Sequence, residues 1–156
     1  MNPRDVLRYG QREIDPLIDR FRAQDWARTA LGVWTAKDLV GHLSAFEVRF
    51  LEVVQLFVGE EPATTLRGES PATFNDTQAA VRADWPVERV VAELRDAHRA
   101  IMDRVDAIPA EVWREVGTIP WYGPEYALDD LLVYQQYGHK REHAPQLGAV
   151  LEQRGS

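Results

Sequence analysis

The chain has 156 residues, 45% hydrophobic and 28% charged, with 9 prolines, 10 glycines and no cysteine. That balance suits one globular domain over 1–156 and excludes a disordered, fibrous or disulfide-stapled chain. Acids outnumber bases 25 to 18, a net charge of −7, and the bases are scattered, so neither nucleic acid nor an anionic membrane is an expected partner.

The first helical pattern covers 3–24. Asn2 can cap it, Pro3 suits the first helical position, and Leu7, Ile14, Leu17 (or Ile18) and Phe21 mark its apolar side. Pro16 falls inside it, so a kink or break near Asp15 is expected. The second helix, 36–59, opens on Thr35 and Asp38, spaced as a capping box. Leu39, His42, Leu43, Phe46, Phe50, Val53, Val54 and Phe57 then recur at helical spacing. At about 1.5 Å per residue this helix would run the length of a small bundle.

Residues 60–85, with Pro62, Gly68 and Pro71, form a long connection with a short helix expected around 73–82. A third helix is expected over 86–107, with Val87, Val90, Val91, Leu94, Ile101 and Val105 inward. A single turn around 109–113 and an aromatic loop, Ile119-Pro-Trp-Tyr-Gly-Pro124, come next. The fourth helix, 127–153, carries Asp129 and Asp130 where carboxylates favour the helix dipole. Arg154 and Gly155 close it, and Pro145 predicts a local distortion just after its histidines. No strand alternation is evident. The fold class is all-α, a four-helix bundle with a long connection between helices 2 and 3.

Only four histidines are present, and two of them, His139 and His143, lie four apart. That spacing stacks them on one helical face, and the inward stripe Leu128, Leu132, Gln135, His139, His143, Gln146, Val150 places both toward the core. His42 lies inward on the second helix, between Leu39 and Phe46. Three imidazoles from two helices can hold one divalent metal with a coordination position left open, the arrangement of a catalytic centre. The plainer alternative is a set of separately satisfied core histidines. Zinc and nickel suit such ligands, as do copper and iron.

Other side chains have two readings each. Gln135, one turn before His139, can reach a water at the metal or can pair with another helix. Glu142 can lean toward the site as a catalytic base, although pairing with surface Arg or Lys is the plainer reading. Glu47 is rotated about 140° from His42, which suits a structural contact with a neighbouring helix rather than ligation. His98 is not expected to be a ligand. Trp121 and Tyr122 can wall a substrate pocket or plug the bundle end. Phe46, Phe50 and Phe57 read as core.

Val33-Trp-Thr-Ala-Lys-Asp-Leu-Val-Gly-His-Leu-Ser-Ala-Phe-Glu47 and Tyr137-Gly-His-Lys-Arg-Glu-His143 resemble the second- and fourth-helix motifs of the DinB-like superfamily. The resemblance covers most of the chain in helix order. It implies zinc or nickel held by His42, His139 and His143, and either thiol transfer or hydrolysis on a small electrophile, in detoxification or stress. With no cysteine in the chain, a thiol would come from a low-molecular-weight cosubstrate. Dimers are frequent among such bundles. A non-catalytic bundle that sequesters a small molecule is the alternative. Phe74-Asn75 and Pro120-Trp121-Tyr122 show a further resemblance, to the ClbS/DfsB-like colibactin self-resistance branch. That branch implies metal-independent cyclopropane hydrolysis, whereas this sequence keeps all three histidines. No apolar run could span a bilayer and no secretory signal opens the chain, so a cytoplasmic location is expected.

Overall fold

Asn2 starts the first helix through its side chain, which accepts a hydrogen bond from the Arg4 backbone N–H at 3.0 Å. From there α1 runs Pro3–Arg20. The structure, a computed structural model, describes residues 1–153. No break occurs at Pro16: α1 is continuous through it. Pro16 and Arg12 are both exposed, so the Arg12 carbonyl that loses its helical partner faces water.

A two-stranded antiparallel hairpin follows, Thr29–Leu31 with Trp34–Thr35, paired Thr29 to Thr35 and Leu31 to Trp34. It turns at Gly32, whose φ of 57° favours glycine. These strands are too short to show alternation, and they leave the class all-α. Thr35 and Asp38 form the expected box: Asp38 N–H donates to Thr35 Oγ1 at 3.1 Å, and Thr35 N–H to Asp38 Oδ2 at 3.0 Å. That fixes the start of α2, Ala36–Phe57.

The long connection carries α3, Pro71–Arg82, and α4 spans Val87–Met102, shorter than expected. A single-turn α5, Ala110–Arg114, precedes the aromatic loop. The fourth pattern divides into α6, Leu128–Leu132, a π-helical stretch, Val133–Gly138, and α7, His139–Glu152. The distortion expected after the histidines therefore lies before them. Here α7 runs through Pro145, which is exposed together with Arg141, whose carbonyl loses its partner. The stop signal at Arg154 and Gly155 lies outside the described residues.

The bundle pairs α2 with α4 and α1 with α7. Its core has two apolar halves. One gathers Leu7, Phe50, Val53, Ile101, Trp113 and Leu132; the other gathers Ile14, Leu39, Leu43, Val90, Leu94 and Leu147. Each such side chain contributes about 1.5–3 kcal/mol on burial. Along every long helix a polar residue separates the halves: Gln11 on α1, Glu47 on α2, His98 on α4 and Lys140 on α7. Lys140 Nζ bonds Glu47 Oε1 at 2.7 Å, Gln11 Oε1 at 2.9 Å and Gln136 Oε1 at 3.0 Å, so a buried ion pair joins three helices.

Gly10 lets α1 lie against the π-helical stretch. A Cβ there would fall 1.6 Å from the Gln136 carbonyl oxygen, a backbone atom that no rotamer can move. Gly10→Ala is expected to destabilise the protein by about 1–3 kcal/mol through overpacking, read as a lower urea midpoint. An unchanged midpoint would show that α1 can draw back freely.

Candidate metal centre

His42 projects from the second turn of α2, and His139 and His143 stand one turn apart at the start of α7. His139 and His143 are buried, and His42 is half-buried. The Nε2 atom of His139 stands 2.9 Å from His42 Nε2 and 3.1 Å from His143 Nε2. The nearest nitrogens of all three lie within 4.8 Å of one another.

Nitrogens bound at about 2.0–2.1 Å to one ion at near-tetrahedral or right angles lie about 2.9–3.4 Å apart. The two Nε2–Nε2 separations, 2.9 and 3.1 Å, fall in that interval. The chemistry of the donors agrees with the distances. Three ring nitrogens facing one point cannot all be satisfied by one another, because each contact takes one proton and one lone pair. Gln146 Oε1 lies 2.7 Å from His143 Nδ1, so an Nδ1–H donates there and leaves the Nε2 lone pair free for a metal. His139 Nδ1 is buried with no hydrogen-bond partner.

Protonation points the same way. Burial, reinforced by the neighbouring His143, lowers the His42 pKa to about 4. Burial, then His42, His143 and Lys140, lowers that of His139 to about 3, against a small opposing pull from Glu47. Both rings are neutral at pH 7, the form that ligates. In the unfolded chain they would take protons near the ordinary value of 6.5. Between those values the unfolded state binds more protons, so the stability of metal-free protein falls as pH drops from 6.5 toward 4. Each fully shifted ring adds up to about 1.4 kcal/mol per pH unit. Urea midpoints at pH 7.5, 5.5 and 4.5 should show this decline, and a His42→Ala, His139→Ala double variant should give a flatter series.

Beside the triad is a cavity of about 330 Å³ lined by residues that include Phe46, Arg49, Phe74, Asn75, Trp121, Tyr122, Tyr134 and Gln135. Phe46 forms the shared wall, with its ring centroid 4.6 Å from that of His139 and 4.9 Å from that of His42. It is thus more than the core residue its spacing suggested. Gln135, Trp121 and Tyr122 come together at this cavity, and the Gln135 amide oxygen is buried without a partner. Glu142 is exposed on α7 and is not among the lining residues. Glu47 and His98 lie away from the triad: Glu47 pairs with Lys140, and His98 Nδ1 stands 3.6 Å from Glu47 Oε2, too long for a hydrogen bond.

Sequence reasoning passed over Lys140 and Arg49. Lys140 directly follows His139 and reads as surface until its acidic partner is known. For Arg49 a signal existed, since it lies seven residues after His42 and so on the same helical face.

A helical bundle with three imidazoles converging between its second and last helices, beside an aromatic cavity, is the class that fold and site define. The chain belongs to the DinB superfamily, whose family model matches residues 7–147. No curated protein and no solved structure matches it significantly. Among the described residues, no helix is long and apolar enough to cross a membrane.

Proposed function

We propose that this chain is a metal-dependent enzyme that attacks a small electrophilic substrate, by hydrolysis or by transfer of a low-molecular-weight thiol, in a detoxifying or stress role. The observation that carries this reading is the meeting of three Nε2 atoms from His42, His139 and His143 at 2.9 and 3.1 Å. A zinc or nickel ion held there would act as a Lewis acid and lower the pKa of a water or thiol. The chain's own residues do the rest. Gln146 holds the His143 tautomer. Phe46 covers the triad on the cavity side, and Trp121 and Tyr122 line the same cavity. The unpartnered Gln135 oxygen accepts a hydrogen bond from a bound substrate or nucleophile. Because the chain has no cysteine, a transferred thiol must arrive as a cosubstrate.

Elemental analysis of tag-free protein is the test, beside a variant with all three histidines replaced by alanine. One divalent metal per chain in the wild type and none in the variant supports the centre. A wild type that stays metal-free after reconstitution would sink it. Activity on an electrophile panel, with and without thiol, then separates catalysis from sequestration, which protects only at stoichiometric protein.

A second reading has its own observation. Phe74, Asn75, Trp121 and Tyr122, four of the five residues of the ClbS-like resemblance, line one cavity; Pro120 does not. Metal-independent hydrolysis of a strained ring would persist in EDTA and in the triple-alanine variant.

A further inference from the structure

Arg49 is a cation in an aromatic cavity with little to hold it. Its Cζ lies 4.7 Å from the Phe74 ring centroid and 6.0 Å from that of Phe46. Among the described residues its one hydrogen bond within 3.5 Å is a long contact from Nη2 to the Arg67 carbonyl, at 3.5 Å. Neither nearby acid reaches it with an ion pair, although Glu52 Oε2 is itself buried without a hydrogen-bond partner. Glu52 pairs with Arg67 at 3.4 Å, and Glu69 accepts from Gln78 at 2.9 Å. Arg49 forms no ion pair within 4.0 Å among the described residues. Burial disfavours its charge more than Glu52 and Glu69 support it. A guanidinium has five N–H donors in a planar fork suited to a carboxylate, and stacking on rings leaves its edge free. Asn75 and the buried, unpartnered Gln135 oxygen add polar groups to the same cavity.

We propose that the cavity beside the triad binds a substrate with a flat apolar body and a carboxylate, the carboxylate held by Arg49 and the body by Phe46, Phe74 and Trp121. That the occupant is a substrate rests on the enzymatic reading above; the binding itself does not need the metal. The carboxylate anchors the molecule at one end of the cavity while its reactive part faces the wall shared with His139. Neutral electrophiles of the same shape are then poor ligands, because they leave the guanidinium unpaired.

Ligand-observed NMR titrations with phenylacetate and its neutral isostere phenylacetamide test this. The proteins are metal-reconstituted wild type, the triple-alanine histidine variant, Arg49→Met and Arg49→Lys. Phenylacetate should bind the wild type and the triple variant alike, and phenylacetamide at least tenfold more weakly. Arg49→Met should weaken phenylacetate about 10–100-fold and leave the amide nearly unchanged. Arg49→Lys keeps the charge without the fork, should fall between, and carries the comparison if the Met variant does not fold. Equal binding of acid and amide, no binding of either, or unaltered binding in both Arg49 variants would overturn the proposal. So would binding confined to the metal-loaded protein, which would place the carboxylate on the ion. A wild type that takes up no metal yet shows the Arg49-dependent preference would sink the enzymatic reading and leave this one standing.

Discussion

His139→Ala is expected to abolish stoichiometric metal binding while leaving helix content nearly intact. His139 is the middle of the triad: its Nε2 makes both short approaches, to His42 at 2.9 Å and to His143 at 3.1 Å. Removing it leaves two imidazoles on different helices with no third nitrogen between them. Loss of an outer partner of a metal ligand already costs 10–100-fold in affinity, so loss of a ligand should exceed about 100-fold. The fold should survive for a separate reason. His139 has no hydrogen-bonded partner at Nδ1, and its removal orphans no other buried group outside the triad. Competition with a chromophoric chelator gives the affinity and circular dichroism the helix content. Full metal occupancy in the variant would remove His139 from the centre.

Lys140→Met should cost about 3–5 kcal/mol of stability, although the lysine touches neither cavity nor triad. Lys140 and Glu47 are each 1% exposed and 2.7 Å apart. Burial pushes the Glu47 carboxyl pKa up, but Lys140 and His98 more than offset that and hold it below the ordinary 4.5. Without the ammonium, a carboxylate stays in the core with only the His98 ring nearby, its Nδ1 3.6 Å from Glu47 Oε2. Gln11 and Gln136 also lose a donor each. Changing both partners, Glu47→Met with Lys140→Met, should recover most of the loss, because no charge is then left alone. Urea denaturation of the two single variants and the double variant gives the coupling. Strictly additive losses would show that the two side chains do not act as a pair. In the wild type this contribution is present above pH 4.5 and fades as acid titrates Glu47 below it.

What was legible in the sequence was mostly local. Asn2, and Thr35 with Asp38, mark helix starts because a cap is made within three residues. The two-helix meeting of His42 with His139 and His143 was legible because each lies on an apolar stripe that must face inward. The interruption at 133–138 was not. An i→i+5 turn is stabilised by what packs on it, here α1 at Gly10, and no local residue announces it. Pro145 and Pro16 misled in the opposite direction: on an exposed face the lost hydrogen bond is replaced by water. Lys140 was hidden because burial of a lysine depends on Glu47, more than ninety positions away. Phe46 shows the limit of periodicity, which says that a ring faces inward but not that a cavity and three imidazoles meet there.

The closeness of α1 to the Gln136 carbonyl has a consequence for how the protein tolerates change. Gly10 binds nothing and reacts with nothing, yet every other residue type would push on the backbone three positions before His139. A scan of all substitutions would rank Gly10 and Lys140 among the least forgiving sites and would leave Arg49 and Gln135 comparatively permissive for folding. Selection for abundance and selection for turnover would therefore draw two different maps on this chain. Residues prominent on the second map and faint on the first are where changes of specificity can accumulate without loss of the fold.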